Sequence, residues 1–357
     1  KSRSPGTCGV AKRYRGLAAM AIILVAVAAS PPGAAEPGGI GDKLRDAQLQ
    51  IFIENDKWHR TDRNYTNGLK IGVGILEKHI PEEIGDAFRS LLGAPSRQSD
   101  EVHFGLFLGH NMYTPRDITL AAPQPFDRPW AGWLYLGLVG QRVAKAAKYD
   151  TLDTLEVDVG LVGRYSYAED IQSWWHDRIG AASPEGWANQ VPNEPAFLVS
   201  YVHKRRYGVD RDGFDFIPHV GASLGTVATF ARAGGIVRLG VNKTGFGPDR
   251  IEPGGAMLQR ARESYTKGNR EPFETFVFAG LDARLVAYSI FLDGTVFHES
   301  ASVDRRPFVY DVFGGVSVRW EFIRASLTSI LRSEEFTSSR GGGGRQRFYS
   351  LNVGFEF

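Results

Sequence analysis

The chain has 357 residues, with 42 basic and 40 acidic side chains and a formal net charge of +2. This length allows one large domain or two smaller ones, and the balanced charge excludes a strongly basic nucleic-acid-binding surface. Zinc-finger, P-loop and dinucleotide-binding motifs are also missing from the sequence. We therefore expect no nucleic acid among the partners.

The first 35 residues have the organisation of a signal peptide. Five basic residues precede the apolar stretch 16–29, which is shorter than the roughly 20 residues of a spanning helix. Small residues at 26–28 and 33–35 predict cleavage near residue 28 or 35. An uncleaved anchor is the alternative, but Pro31 and Pro32 end the apolar run. The one cysteine, Cys8, would leave with the signal, so the domain over 36–357 is expected to have no disulfide.

Beyond the signal, apolar residues recur at every second position. Leu49, Ile51 and Ile53 alternate with polar or aromatic residues, and the same pattern returns through most of the chain. A soluble β-sandwich would alternate as well. Several segments, however, reach the roughly 9 to 11 residues that cross a bilayer at a tilt, and the chain is rich in glycine and aromatic residues, with 42 glycines and 22 phenylalanines. These features favour a transmembrane barrel.

The last stretch, 348-FYSLNVGFEF-357, resembles the C-terminal signature of bacterial outer-membrane barrels, a final strand closing with phenylalanine. We therefore predict an all-β fold, an antiparallel transmembrane barrel of about 12 strands. Its connections over 78–101 and 244–272 would lie in the periplasm and are long for such turns. The predicted strands are roughly 46–54, 66–77, 102–111, 130–144, 151–163, 196–206, 214–227, 231–242, 273–290, 307–320, 321–333 and 346–357.

With the N-terminus in the periplasm, the connections 55–65, 112–129 and 164–195 share the extracellular rim. The third contains a predicted helix over 168–180, with acidic residues in its first turn and Gly180 placed to end it. Its Ile171, Trp175 and Ile179 form an apolar stripe that is expected to pack on the barrel wall. Gln172 and His176 share another face, one turn apart. A surface histidine without a function is the alternative for His176.

Candidate chemistry begins where the first strand ends. Asn55 and Asp56 offer hard oxygen ligands, which suit Ca²⁺, and the alternation predicts that Thr66 faces the lumen. A divalent cation there could polarise an ester carbonyl while a histidine removes a proton from water. The alternative is that these loops are only solvated or bind lipopolysaccharide phosphates.

Four motifs together resemble one family of outer-membrane enzymes, the lipid A 3′-O-deacylases of the LpxR type. They are 53-IENDKWHRTDRNYTNG-68, 111-NMYTPRD-117, 127-DRPWAGWLY-135 and 172-QSWWHDRIGAASPEGWANQVPNE-194. The resemblance covers essentially the whole chain after the signal. It implies a twelve-stranded barrel in the bacterial outer membrane that removes the acyloxyacyl group at the 3′ position of lipid A, with Ca²⁺ as cofactor.

The resemblance also implies residue roles. His176 would be the general base, Asn55 and Asp56 would hold the metal and position the oxyanion, and Thr66 and Gln172 would complete the site. Some relatives have a carboxylate six residues after the histidine and a lysine in the second outer loop, where this chain has Ala182 and approximately Leu120; Glu185 and Arg116 or Arg128 are candidate replacements. The candidate contacts with the substrate are Arg63, Tyr65, Arg116 and Arg128.

The expected partners are lipid A, as part of lipopolysaccharide, and the outer membrane itself, with the chain acting as a monomer. Two other classes of function stay open. One is a passive barrel, either a porin or an adhesin. The other is an outer-membrane phospholipase, although no serine in the sequence stands out as a nucleophile.

Overall fold

A computed structural model describes residues 47–56, 64–76, 80–93, 100–145, 148–208, 212–251, 273–339 and 343–356. The predicted signal peptide and Arg63 lie outside these residues. Within them, no helix combines the length and the apolarity that crossing a membrane would require.

Fourteen strands are found in this part of the chain, and twelve of them form one closed antiparallel barrel. All twelve predicted barrel strands are confirmed. The other two are short and pair only with each other. In chain order the strands are β1 (Gln48–Asn55), β2 (Asn64–Leu76), β3 (Asp100–Thr114), β4 (Ala131–Lys145), β5 (Asp150–Val162), β6 (Glu194–Arg206), β7 (Gly213–Gly225), β8 (Ala228–Val241), β9 (Phe273–Ser289), the short β10 (Asp304–Arg305), β11 (Phe308–Trp320), β12 (Ile323–Arg332), the short β13 (Phe336–Thr337) and β14 (Gln346–Glu356).

The barrel closes where the first strand meets the last. β1 pairs on one side with β2 and on the other with β14, so Asn55 lies opposite both Asn67 and Tyr349. Every strand of the barrel therefore has two neighbours, and the barrel has no open sheet edge facing lipid.

Three α-helices are described: α1 (Glu82–Leu91), α2 (Ala168–Ile179) and α3 (Ile290–Asp293). α2 is the predicted helix, and it ends at Gly180, whose φ of 64° is easily adopted by glycine. α1 occupies part of the long connection over 78–101. Its Phe88 ring lies 5.3 Å from the ring of Phe104, and its Arg89 pairs with Asp100 at 3.0 Å. The helix thus packs against the barrel wall near the periplasmic end.

The two faces of the wall follow the alternation of the strands. Leu106 and Leu136 are 65% and 57% exposed, and they belong to the face that meets lipid. Phe107, one residue along, is buried inside, where the Lys70 ammonium lies 4.2 Å from its ring centroid. Along β3, side chains at every second position from Phe107 therefore face the lumen. Along β4, side chains at every second position from Leu136 face outwards.

The lumen is filled by side chains and by a segment of the chain itself. Residues 242–251 follow β8 into the interior, where Ile251 packs with Phe52, Phe107 and Val139. The amide of Ile251 donates to the carboxylate of Glu54 at 2.9 Å. This segment belongs to the second long periplasmic connection, so part of that connection serves as packing inside the barrel.

Charged groups in the lumen are arranged in ion pairs. Asp311 accepts from Arg332 at 2.8 Å, from Arg250 at 2.8 Å and from Arg284 at 3.2 Å. Buried charges of this kind are tolerated because each has a hydrogen-bonded counter-charge. The result is an interior cross-linked by ion pairs among the described residues.

Candidate active site

The polar residues at the extracellular end of β3 lie on the outside of the barrel. Since Phe107 points into the lumen, alternation directs His110, Met112 and Thr114 outwards. Met112 is paired with Gly132 of β4, which shares this outward face. These residues are nevertheless buried, so something other than lipid covers them.

Thr66 also belongs to this outer face, which corrects the prediction that it faces the lumen. A β-bulge interrupts the pairing of β2 with β3 between Tyr65 and Asn67. The extra residue breaks the simple alternation, and the hydroxyl of Thr66 lies 2.6 Å from that of Thr114. The bulge thus brings two hydroxyl groups together outside the lumen.

Asn55 and Asp56 lie beside these hydroxyls at the end of β1. Asn55 shares the outward direction of Ile53, two residues earlier, and its side chain is half-buried. The amide of Asp56 donates to the backbone carbonyl of Thr66 at 3.4 Å, and the Asp56 side chain is fully buried. The structure therefore brings Asn55, Asp56 and Thr66 together at the extracellular ends of β1 and β2.

α2 is the element that covers this part of the wall. A Cβ atom placed on Gly132 would lie 2.1 Å from the hydroxyl of Ser166 and 2.4 Å from Cβ of Ala168. The backbone carbonyl of Ser166 also lies 3.0 Å from Nε2 of His110. Because Gly132 and His110 both point away from the lumen, the helix and the turn before it lie on the outer surface of the barrel.

The face that α2 turns towards the wall differs from the predicted one. Ala168, Gln172 and His176 are its buried residues, whereas Trp175 and Ile179 of the predicted apolar stripe are exposed. The glycine at position 132 explains the choice, since it lets the small Ala168 approach the wall closely. His176 and Gln172 therefore point into the protein, and the interpretation of His176 as a surface histidine is wrong.

A small apolar cluster joins α2 to β3. Met112, Ile118, Trp130, Ala168 and Trp187 are all buried in it, and the Trp130 and Trp187 ring centroids are 4.9 Å apart. The indole of Trp187 donates to Oε1 of Gln172 at 2.8 Å. The cluster holds the Gln172 side chain in one orientation and directs the helix face towards β3, whose Thr114 contacts Thr66.

Trp187→Phe is expected to lower the predicted deacylase activity by about tenfold. The substitution keeps the aromatic packing, but the buried Gln172 amide loses a hydrogen bond worth roughly 1–3 kcal/mol. Activity towards the substrate and folding of the barrel in detergent would be measured together. Trp174→Phe, an exposed position on α2, is the control. Equal activities for the two variants would argue against a positioning role for Trp187.

His176 is held by the backbone that follows α2. Its Nδ1 lies 2.5 Å from the carbonyl oxygen of Ala182. A carbonyl can only accept, so Nδ1 carries the proton and Nε2 keeps its lone pair in the neutral ring. Ala182 is the position at which some relatives have a carboxylate, and here its main chain orients the imidazole. Glu185, the candidate replacement for that carboxylate, is less direct: its backbone amide donates to the carbonyl of Ile118.

The oxygen atoms near Thr66 suit a calcium ion. The Asp56 carboxylate, the Asn55 amide and the hydroxyls of Thr66 and Thr114 are hard ligands. Across the described ranges, no group of three or more His, Cys, Asp or Glu side chains could hold a metal. Hard oxygen ligands of this kind fit calcium better than zinc.

Three of the four candidate substrate contacts lie among the described residues, and Arg63 lies outside them. Tyr65 is fully buried on the lumen side, where its ring packs on Tyr113 and Phe348. Arg128 lies over Tyr113 and bonds Glu335 at 2.8 Å. The barrel wall separates both from the outer face, and their roles in substrate binding stay predictions.

Arg128 nevertheless affects the charge of its partner. Burial raises the pKa of the Glu335 carboxyl, but the guanidinium groups of Arg128 and Arg332 more than offset this and hold the pKa below its usual value. The Glu335 carboxylate thus remains charged beside Arg128, and the two groups form an ion pair on the inner side of the wall.

Arg116 is exposed on the extracellular side, and its amide donates to Asp127 at 3.0 Å. Nearby, hydrogen bonds from the hydroxyl and the amide of Thr119 lower the pKa of the Asp117 carboxyl. The loop that carries the Tyr-Thr-Pro step is thus shaped by short-range carboxylate contacts. The role of Arg116 also stays a prediction.

Sequence reasoning missed three residues that shape the site: Thr114, Gly132 and Trp187. Each lies in a motif that had been noted, 111-NMYTPRD-117, 127-DRPWAGWLY-135 or 172-QSWWHDRIGAASPEGWANQVPNE-194. A glycine at an outward position of a long strand is the available signal for Gly132, since it indicates close approach of another backbone.

The fold and the site together define an outer-membrane β-barrel that carries a polar site with an oriented histidine on its outer wall. The particular family follows from comparison with known proteins. The family model described as "Outer membrane protein LpxR" matches residues 17–357, and the chain belongs to this family, the lipid A deacylase family. Its location is accordingly the bacterial outer membrane.

Several solved structures are similar to this chain, and the first of them shows the same fold. LpxR from Salmonella typhimurium is similar with a TM-score of 0.67 and 21% identity, over 87% of this chain and 100% of that chain. The beta domain of the Bordetella autotransporter BrkA has a TM-score of 0.41 and 10% identity, over 87% and 99%. A KdgM porin in complex with disordered oligogalacturonate has a TM-score of 0.36 and 8% identity, over 87% and 99%. Comparison of this chain with curated proteins found no match.

Proposed function

We propose that this protein is an ester hydrolase that removes the 3′-linked acyloxyacyl group of lipid A. One observation carries the proposal: the oriented His176 is enclosed between α2 and the outer wall, at the extracellular end of the barrel. Lipid A occupies the outer leaflet around that wall, so its ester bonds can reach the site sideways from the membrane. A site in the lumen would not be accessible to a lipid.

His176 acts as the general base. Nε2 takes a proton from water, the water oxygen bonds to the ester carbonyl carbon, and the imidazolium then returns the proton to the departing sugar oxygen as the ester C–O bond breaks. The carbonyl of Ala182 keeps the ring oriented and stabilises the charged form. The Asn55 amide and the Thr66 hydroxyl are hydrogen-bond donors for the oxyanion, and Gln172 supports the helix face.

Calcium, when bound by Asp56 and Asn55, would polarise the ester carbonyl and stabilise the charge that develops on its oxygen. Asp56 suits this role because its carboxylate is fully buried at the end of β1.

The two other classes of function fit the structure less well. A porin requires a water-filled lumen, whereas residues 242–251 and paired charges fill this one. A phospholipase would share the ester chemistry and the outer-wall location. Substrate preference must therefore be tested directly.

The test is mass spectrometry of lipid A from cells that express the protein and have no such activity of their own. The expected result is loss of the 3′-linked acyloxyacyl mass, and addition of a calcium chelator to isolated membranes should prevent it. Release of fatty acid from phosphatidylethanolamine with unchanged lipid A would instead identify a phospholipase. Unchanged lipids with correct membrane insertion would identify a passive barrel.

Asp56→Ala is expected to lower deacylation about tenfold at low calcium, and added calcium should recover part of the loss, because one ligand of several is removed. The measurement is the initial rate in detergent across a calcium titration. Asp177→Ala, which removes an exposed carboxylate on α2, serves as control. Wild-type activity of Asp56→Ala at low calcium would remove Asp56 from the metal site.

A further inference from the structure

α2 has a third face that the proposed chemistry does not use. With roughly 3.6 residues per turn, Trp174, Trp175, Arg178 and Ile179 lie on one flank of the buried face. Trp174, Trp175 and Ile179 are 48%, 49% and 43% exposed. The guanidinium of Arg178 lies 5.6 Å from the Trp174 ring centroid. The helix therefore presents large aromatic groups outside the protein core.

The opposite flank of the same helix is acidic. Glu169, Asp170 and Asp177 follow one another there, and Asp170 and Asp177 are exposed. Anionic side chains are repelled by the phosphates of an outer leaflet, whereas tryptophan and arginine are attracted to an interface of this kind. The two flanks thus differ in the surroundings that suit them.

The position of α2 determines which surroundings are available. The helix lies on the outer face of β4 at Gly132, and Leu136, on the same outward face, belongs to the lipid-facing band. Four residues of a strand span about 13 Å. α2 therefore lies on the extracellular side of the exposed Leu136, within about 13 Å of it. A barrel has its aromatic girdle at this height. Its apolar flank continues the surface that meets lipid.

We propose that the flank formed by Trp174, Trp175, Arg178 and Ile179 is seated in the outer leaflet. The aromatic rings contact the upper acyl chains of surrounding lipids, Arg178 meets lipid phosphates, and the acidic flank faces water. The occupant of this surface is the lipid bilayer, and not a second copy of the chain. If the proposed function holds, this contact also fixes the depth of His176 relative to the ester bonds of lipid A.

The test uses spin labels at matched positions of one helix. Cys8 is the one cysteine of the sequence, so Cys8→Ser gives a background in which Trp175→Cys and Asp177→Cys, on opposite flanks of the helix, can each be labelled. Leu136→Cys provides a lipid-facing reference. The labelled proteins are placed in vesicles of phosphatidylethanolamine and phosphatidylglycerol, and accessibility to oxygen and to a water-soluble nickel chelate is measured by power saturation.

The label at position 175 should resemble that at 136, with several-fold greater oxygen accessibility relative to nickel than the label at 177. Equal values at 175 and 177 would overturn the proposal. Shielding of position 175 from both reagents would also overturn it, in favour of contact with another protein chain. If Trp175→Cys does not fold, Ile179→Cys replaces it with the same expectation.

The outcome does not depend on hydrolysis. The same pattern is expected in a His176→Ala background, because seating in the leaflet needs only the helix surface. A protein that shows the predicted depth but leaves lipid A unchanged would therefore disprove the enzyme proposal alone. A protein that hydrolyses lipid A with equal accessibility at 175 and 177 would disprove the leaflet contact alone.

Discussion

Replacing His176 with alanine is expected to abolish most of the lipid A deacylation, by roughly 10²–10⁴-fold. Because Nδ1 of His176 donates to the carbonyl of Ala182, its Nε2 has a lone pair suited to accept a proton from water. The substitution leaves the proposed oxyanion donors in place but removes the proposed base. The measurement is the 3′-deacylated fraction of lipid A, determined by mass spectrometry from cells with equal amounts of inserted barrel.

The structure provides a matched control for this substitution. His298 also lies in an extracellular connection, is exposed, and has its Nδ1 3.5 Å from Glu194. His298→Ala should retain wild-type deacylation. If His176→Ala kept the activity as well, the imidazole would not be the base, and the hydrogen bond to Ala182 would have only a structural meaning.

The barrel itself could be predicted because the sequence pattern that specifies it is local to each strand. Each strand alternates apolar and polar residues with period two, and this pattern is readable without knowing the strand's neighbours. Strand number, closure and the α2 boundaries were predicted correctly. The filling of the lumen by residues 242–251 could not be predicted. Those residues have neither the strand period of two nor the helix period of about 3.6, and they are held by distant partners such as Glu54.

The direction of the Thr66 side chain was the main error. The alternation of β2 places Thr66 inside, and only the bulge before Asn67 reverses this. A bulge depends on the register between two strands, which one strand's sequence does not specify. The correction changes the route of the substrate, since an outer-face site is open to the leaflet.

The orientation of α2 shows the same limit. Its most apolar stripe was expected to be buried, as in a water-soluble protein. In a membrane protein the surroundings include lipid, so Trp175 and Ile179 can be exposed while Gln172 and His176 are enclosed. Helix amphipathicity therefore predicted that α2 exists but not which face meets the wall.

Substitution of Gly132 by leucine should separate the helix from the wall and lower deacylation about a hundredfold. Even a Cβ atom at this position would lie 2.1 Å from the Ser166 hydroxyl and 2.4 Å from Cβ of Ala168, far inside normal contact distance. Since the strand is fixed by both neighbours, α2 must move outwards by an ångström or more. A shift of about 1 Å in a catalytic group can cost a hundredfold in rate.

Gly140→Leu is the matched control for this prediction. Gly140 lies on the same strand and the same outward face, and a Cβ there would clash with Phe88 of α1, 2.5 Å away, at the other end of the barrel. Both variants introduce the same side chain and a comparable clash, so loss of barrel stability would affect both. Loss of deacylation confined to Gly132→Leu, with both barrels resistant to denaturation in detergent, would show that contact of α2 with the outer wall assembles the site. Equal activities would show that His176 does not depend on that contact.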